Sequence, residues 1–327
     1  MRTALLLALS QALQPGPNDV YVRVVDTGPG LCTMTAAPGG HYMVYDAGHW
    51  TGDHCLRAAR EIVQGEVIDL LILSHSDADH LGAVAELLQE FHVRRIITTG
   101  DRRAGRATWE AANDAIANDV RFGASVMNLE TMELVPGTTI LLGDATVTLV
   151  AGWHEWTGLG PTESERLNAI SIVVRLDYRG HAILYGGDTV GRRLVDADTA
   201  CRDAEAAMVA NASQVPLRAD VLIGPHHGGN NGSSRCFIQA VNPTFVIFSA
   251  GHMFDHPTAR AAQRYIAHGV QVQNIFRTDR GDDEGGFEWV RGRIAGCTDP
   301  RGDDDVDIVL PATGAPQVAY RQVTTGC

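Results

Sequence analysis

Ser74-His75-Ser76-Asp77-Ala78-Asp79-His80 places four residues able to bind a cation within six positions, straight after the apolar run from Val67 to Leu73. Alternate side chains of an extended segment share one side, so His75, Asp77 and Asp79 can converge. His80 follows as the chain turns. Imidazole nitrogens with carboxylate oxygens suit zinc, manganese or iron. The competing reading is a polar loop with capping aspartates, Asp79 serving as an N-cap. Two later stretches have the same character: Gly186-Gly187-Asp188-Thr189 and Pro225-His226-His227-Gly228 each end an apolar run.

The elements that position these residues follow from periodicity. Val20 to Asp26 and Tyr42 to Tyr45 read as strands, and Asp53 can cap a helix through Ile62. The run Val67 to Leu73, apolar apart from Asp69, predicts one buried strand. A helix follows, with Leu81, Val84, Leu87 and Leu88 on one face. Arg95 to Thr99 predicts a strand and Thr108 to Asn118 a helix. Gly143-Asp144 and Tyr178-Arg179-Gly180 mark hairpins, one joining Thr138–Leu142 to Ala145–Val150, the other Ile170–Leu176 to Ala182–Tyr185. An alanine-rich helix spans Thr199 to Asn211. Ala219 to Ile223 and Phe245 to Ser249 are further strands, and Pro257 suits the first turn of a helix through Ile266. Val306 to Leu310 and Gln317 to Tyr320 suit a terminal hairpin. Strands ending in polar loops, with helices between them, predict two sheets packed between helix layers.

Composition narrows the function. The chain has 327 residues, 45% hydrophobic and 20% charged, as in an ordinary globular protein. Thirty-five glycines point to many tight turns. The formal net charge of -13 counts against a large nucleic-acid footprint, since phosphate backbones need a basic face. Bound cations would neutralise part of that charge. No apolar run approaches the roughly 20 residues of a membrane span. Residues 1–17 read either as a short secretory signal peptide or as a disordered start, and an exported, periplasmic or secreted protein competes with a cytoplasmic one. None of the six cysteines forms a Cys-x-x-Cys pair. An even count suits disulfides, and Cys297 and Cys327 could staple the C-terminal segment.

The His75-to-His80 segment resembles the His-x-His-x-Asp-His motif of the metallo-β-lactamase superfamily, with Asp77 in place of the second histidine. Ile183 to Thr189 and Pro225 to Gly228 are similar to that family's later Gly-Asp-Thr and His-Gly elements, in the same order. Val24 to Gly30, Tyr45-Asp46-Ala47-Gly48, Asn168 to Ser171, the loop from His226 to Ser234, His256-Pro257 and Arg277 to Arg280 resemble the metallo-hydrolase domain of ComEC-type competence proteins. That domain is implicated in degrading the non-transported DNA strand. The resemblance covers Val20 to Phe287 and implies a four-layer αββα sandwich, an α/β (α+β) fold. A hydrolase domain over 18–295 is then followed by an acidic extension, 296–327, packed on the same domain.

The resemblance also implies a ligand set. One divalent metal would be held by His75 and Asp77, and a second by Asp79, His80 and His227, with Asp188 bridging. His226 is the alternative to His227. His154 suits a third ligand to the first metal, or is a loop histidine. The extra carboxylate at Asp77 favours manganese or iron over zinc. Asp79 would orient the nucleophile, while Asn168, His256 or Ser234 could donate to a developing oxyanion. Asp46 could orient a ligand histidine. Phosphodiester hydrolysis is the leading reading, on a small molecule or short nucleic acid, with no obligate protein partner implied. Acyl hydrolysis of a β-lactam, lactone or thioester is the alternative. Di-iron redox chemistry and a binding role without catalysis are further alternatives.

Overall fold

The computed structural model describes residues 12–130, 134–153, 162–282, 286–290 and 302–322. Two sheets face each other. The first has eight strands in the order β17-β16-β1-β2-β3-β5-β7-β8. These are β1 (Val20–Val24), β2 (Cys32–Ala37), β3 (His41–Ala47), β5 (Leu70–Ile72), β7 (Arg95–Thr98), β8 (Ser125–Asn128), β16 (Val306–Leu310) and β17 (Gln317–Tyr320). The second has seven, β15-β14-β13-β12-β11-β10-β9. They are β9 (Thr139–Leu142), β10 (Ala145–Ala151), β11 (Val173–Tyr178), β12 (His181–Tyr185), β13 (Val221–Ile223), β14 (Phe245–Phe248) and β15 (Ile275–Arg277).

Apolar residues from the inner faces of both sheets fill one buried layer, including Val22, Tyr45, Ile72, Val147, Val174, Ile183 and Ile247. Tyr45 and Tyr185 meet across it, their ring centroids 5.2 Å apart. Truncating a fully buried member such as Ile72 to alanine removes about 2–5 kcal/mol. Helices α1 (His54–Ile62), α3 (Val84–Glu90) and α4 (Ala107–Arg121) cover the outer face of the first sheet through Leu56, Leu87 and Ile116. On the second sheet, α6 (Asp203–Asn211), α7 (Arg235–Val241) and α8 (Ala259–His268) bring Met208, Phe237 and Tyr265 against Leu222 and Phe248. The order helix, sheet, sheet, helix is the expected αββα sandwich. Among the described residues no helix is long and apolar enough to cross a membrane.

Several boundaries depart from the sequence expectation. The run Val67 to Leu73 is two strands, since β4 (Val67–Ile68) leaves the main sheet to pair with β6 (His92–Val93). Asp69 forms the break, its carboxylate accepting from the Tyr42 amide at 2.9 Å and from Arg94 at 3.0 Å. The helix predicted after His80 is also two, α2 (Ala78–Leu81) and α3, parted at Gly82. An alanine Cβ at Gly82 would lie 2.3 Å from the His49 carbonyl carbon, so this close approach admits only glycine. Asp77 rather than Asp79 occupies the N-cap position of α2. Asp53 precedes α1 as predicted but makes no side-chain cap; it pairs with Arg57 instead. Pro257 lies outside α8, whose N-cap is Thr258, and the His256–Pro257 bond is cis. β2, β8, β15, α5 (Glu163–Ala169) and α7 have no counterpart among the elements expected from the sequence.

The terminal hairpin forms as expected, and β16 pairs along the whole of β1. Two disulfides close, Cys32–Cys55 and Cys201–Cys236. Cys297, Cys327, His154 and the signal-like residues 1–11 lie outside the described residues.

Candidate metal centre

The parallel strands β3, β5, β12, β13 and β14 all end at one edge of the sandwich, and each delivers one part of the site. Asp46 is near the end of β3, His75 follows β5, Asp188 follows β12, His226 and His227 follow β13, and Ser249 follows β14. Extended chain after a parallel strand leaves the sheet pointing at this edge, as ligand crevices in α/β proteins do.

Asp188 sits at the middle. Its Oδ1 lies 3.3 Å from Nε2 of both His80 and His227, and its Oδ2 lies 3.9 Å from Nε2 of His75. His75, His80 and Asp188 form one set of ligand atoms near enough to share a cation; Asp79, His80 and His227 form another. Asp77 lies beside the first set, its Oδ2 3.6 Å from His75 Nε2. The structure thus brings together His75, Asp77, Asp79, His80, Asp188 and His227.

The two adjacent histidines separate in role. His227 points Nε2 to Asp79 Oδ2 at 3.7 Å and joins the second set. His226 Nε2 is 3.8 Å from Asp188 Oδ2 and accepts from the Asn168 amide at 3.1 Å, on the cavity side. The loop achieves this by placing both residues in the left-handed region, with φ of 50° at His226 and 53° at His227, followed by Gly228 at 82°. Such backbone is costly for non-glycine residues and is found where function or packing demands it.

Buried partners fix the ring tautomers. His80 Nδ1 donates to Asp46 Oδ2 at 2.7 Å, and His227 Nδ1 donates to the Ser249 carbonyl at 2.6 Å. With Nδ1 holding the outer proton, each ring turns Nε2 inward, and these two nitrogens stand 3.2 Å apart. Facing lone pairs repel unless a proton or cation lies between or beside them. Among the described residues, His75 Nε2 and Asp188 Oδ1 are buried with no hydrogen-bond partner. The residues thus fit a pair of divalent cations: unshared donor atoms, mixed nitrogen and oxygen chemistry, and partners on the outer nitrogens.

Charge in the cluster has the same sense. Burial would push the Asp188 carboxyl up, but His227, His80 and His226 together hold it well below the usual range. Burial would lower His80; Asp188 and Asp46 outweigh it and raise the ring well above its usual value. His227 is likewise raised against burial, chiefly by Asp188. Burial, then the neighbouring charges of His226 and His227, lowers His256 to about 4, so it is a neutral imidazole through the physiological range.

A cavity of about 460 Å³ opens over the cluster. Asn168, from the end of α5, and His256 line it. Ser234 does not: it is fully buried, its backbone amide donating to Glu205 at 2.7 Å, so it braces the histidine loop instead. The sequence reading missed Arg103, whose guanidinium enters the cavity and pairs with Asp77 Oδ1, and Trp50, Met253 and Phe254 at the rim. Arg103 carries no spacing signal, being one of several arginines in a polar loop.

A family model for the metallo-beta-lactamase superfamily matches residues 25–252, more than half of the chain. The chain belongs to the metallo-beta-lactamase superfamily. Competence protein ComA of Neisseria gonorrhoeae is 26% identical over 279 residues, covering 80% of this chain and 31% of that protein. ComE operon protein 3 of Bacillus subtilis (strain 168) is 22% identical over 219 residues, covering 65% of this chain and 24% of that protein. The chain therefore spans a third or less of the length of these relatives, and the ComEC-type likeness read from the motifs is supported. Among solved structures, CmlA, a diiron β-hydroxylase from Streptomyces venezuelae, aligns with a TM-score of 0.48 at 14% identity, over 81% of this chain and 53% of that one. In this metallo-β-lactamase-fold centre, Asp77 stands where the family motif has its second histidine, and it meets Arg103 there.

Proposed function

We propose that the protein hydrolyses phosphodiesters with two divalent cations. The observation that carries this reading is the position of Asp188, whose two oxygens face different imidazoles, Oδ1 towards His80 and His227 and Oδ2 towards His75. His75, Asp77 and Asp188 would hold one cation; Asp79, His80, His227 and Asp188 would hold the other. Such a pair supplies a water nucleophile activated near neutral pH and a Lewis acid for the scissile bond. The protein's own groups do the rest. Asp46 and the Ser249 carbonyl hold the Nδ1 side of the two imidazoles, which would leave each Nε2 for a cation. Neutral His256 and the Asn168 amide line the cavity where an oxyanion would develop, and each offers an N–H donor. Arg103 gives the cavity a fixed positive charge suited to a phosphoryl oxygen.

Phosphodiester chemistry draws support from the competence-protein relatives, and the formal charge of -13 favours short or small substrates over long duplexes. The mixed nitrogen and oxygen ligands suit zinc, manganese or iron, and the Asp77 carboxylate favours the latter two. The two disulfides support export, since such bonds persist in oxidising compartments.

Acyl hydrolysis is the second reading, favoured by one observation: Trp50, Met253 and Phe254, each more than half exposed, give the cavity an apolar rim. An assay of bis-p-nitrophenyl phosphate beside nitrocefin separates the two. Cleavage of the phosphodiester is expected, together with about two metal equivalents per chain and loss of turnover in Asp188→Ala. Turnover unchanged in that variant, or nitrocefin as the sole substrate cleaved, overturns the reading.

A further inference from the structure

The two halves of the metal cluster are not built alike. In the second half, His80 and His227 have their outer nitrogens tied to buried acceptors, Asp46 at 2.7 Å and the Ser249 carbonyl at 2.6 Å. Asp46 is itself immobilised, since its carboxylate also accepts from the Ser74 amide and hydroxyl, both at 2.7 Å. Those ligands are oriented before any cation arrives.

In the first half, His75 Nδ1 has, among the described residues, only the Ser74 hydroxyl, at 3.0 Å, and that hydroxyl already donates to Asp46. Asp77 is bound by an arginine. Its Oδ1 is engaged by the Arg103 guanidinium, which leaves Oδ2, 3.6 Å from His75 Nε2, to face the cluster. Both partners of the ion pair are close to one-fifth exposed, whereas His80 and Asp46 are fully buried. Arg103 lies between β7 and α4, on an element separate from every ligand.

We infer that Arg103 sets the affinity of the first metal site by competing with the cation for Asp77. A guanidinium and a dication both draw on the same carboxylate, and each repels the other. The second site then fills first and tightly. The first fills later and more weakly, with a cation content that follows the surrounding metal concentration. A histidine at position 77 would not accept a guanidinium in this way, so the arginine and the carboxylate act as one unit. Arg103 is a positioning residue here, acting on the metal through Asp77. The inference rests on the two-cation reading of the cluster but not on the substrate assigned to it.

Equilibrium titration of the full-length, metal-stripped protein with Zn²⁺ or Mn²⁺ against a chromophoric chelator tests this without reference to turnover. The wild type is expected to show two sites whose dissociation constants differ by about tenfold or more, the range over which partners beyond the direct ligands usually act. Arg103→Gln should tighten the weaker site by roughly tenfold and leave the tighter one unchanged. Arg103→Lys keeps the charge but loses the fork geometry, and should fall between the two. Two equal sites in the wild type, or a weaker site that Arg103→Gln leaves unchanged or loosens, overturns the inference while the two-cation reading survives. Binding of fewer than two cations by the wild type would sink the two-cation reading itself.

Discussion

Nδ1 of His80 donates to Oδ2 of Asp46 at 2.7 Å, with both side chains fully buried. Asp46 touches none of the proposed cations, yet it decides which nitrogen of His80 is free to bind one. Asp46→Asn keeps the volume and an acceptor for the Ser74 amide but removes the negative charge behind the ring. The expected result is a loss of about 10–100-fold in metal affinity. Chelator competition measures it, and affinity equal to the wild type would show that His80 is oriented by packing alone.

His256 is predicted to contribute as an uncharged donor. Its pKa is lowered to about 4, by burial first, so it keeps one protonation state from pH 5.5 to 9. His256→Ala should reduce kcat by about 100-fold with bound metal unchanged. The shape of the wild-type pH–rate profile above pH 5.5 should persist in the variant's residual activity. A limb lost from the profile in His256→Ala would mean that the ring titrates during turnover.

A group of buried carboxyls gives the fold a pH dependence of definite sign. Asp304 has its pKa raised from 3.8 to about 8, by burial first and then by the charges of Asp26, Asp303 and Asp282, with Arg280 opposing. Asp26 is raised from 3.8 to about 7, again mainly by burial. A raised folded-state pKa means that the native state binds the extra proton. The resulting stabilisation is complete below the unfolded value and is lost as pH climbs through about 7 to 8. The urea midpoint of the metal-stripped protein should therefore fall between pH 5 and pH 9, and Asp304→Asn should shrink that fall. An identical fall in the variant would remove Asp304 as its source.

Close backbone packing under the site gives a further prediction. A Cβ on Gly30 would lie 2.4 Å from the Asp79 carbonyl oxygen and 2.6 Å from the His49 amide nitrogen. Backbone atoms on both sides leave no flexible side chain to yield. Gly30→Ala should cost about 3 kcal/mol or more and displace Asp79, so that the tighter metal site weakens as well. Denaturant unfolding and metal titration should change together; a variant of normal stability and metal binding would contradict the packing described here.

Much of this architecture was legible in the sequence because ligand residues follow apolar runs directly. Once Val67 to Leu73, Ala182 to Tyr185 and Ala219 to Ile223 are read as buried β-structure, His75, Asp188 and His227 must emerge at strand ends. The paired sheets and the terminal hairpin follow from the same alternation. What stayed hidden depended on distant partners. Asp69 breaks an apolar run by binding the Tyr42 amide, a contact no local pattern announces. The acceptor behind His227 is the backbone carbonyl of Ser249, which has no side-chain signature. Arg103 reaches Asp77 from the loop that follows the neighbouring strand β7. The choice between His226 and His227 turned on two consecutive left-handed residues, a geometry that side-chain chemistry does not reveal.

The two disulfides each close a loop of chain that carries residues of the cavity. Cys32–Cys55 encloses the stretch with Asp46, His49 and Trp50, and Cys201–Cys236 encloses the loop with His226 and His227. Opening either bond would release a segment whose backbone is bent to present its ligands or their supports. The endurance of the cation centre is thus tied to the thiol balance of the medium: a reductant that never touches the metals would still slacken the frame that holds them.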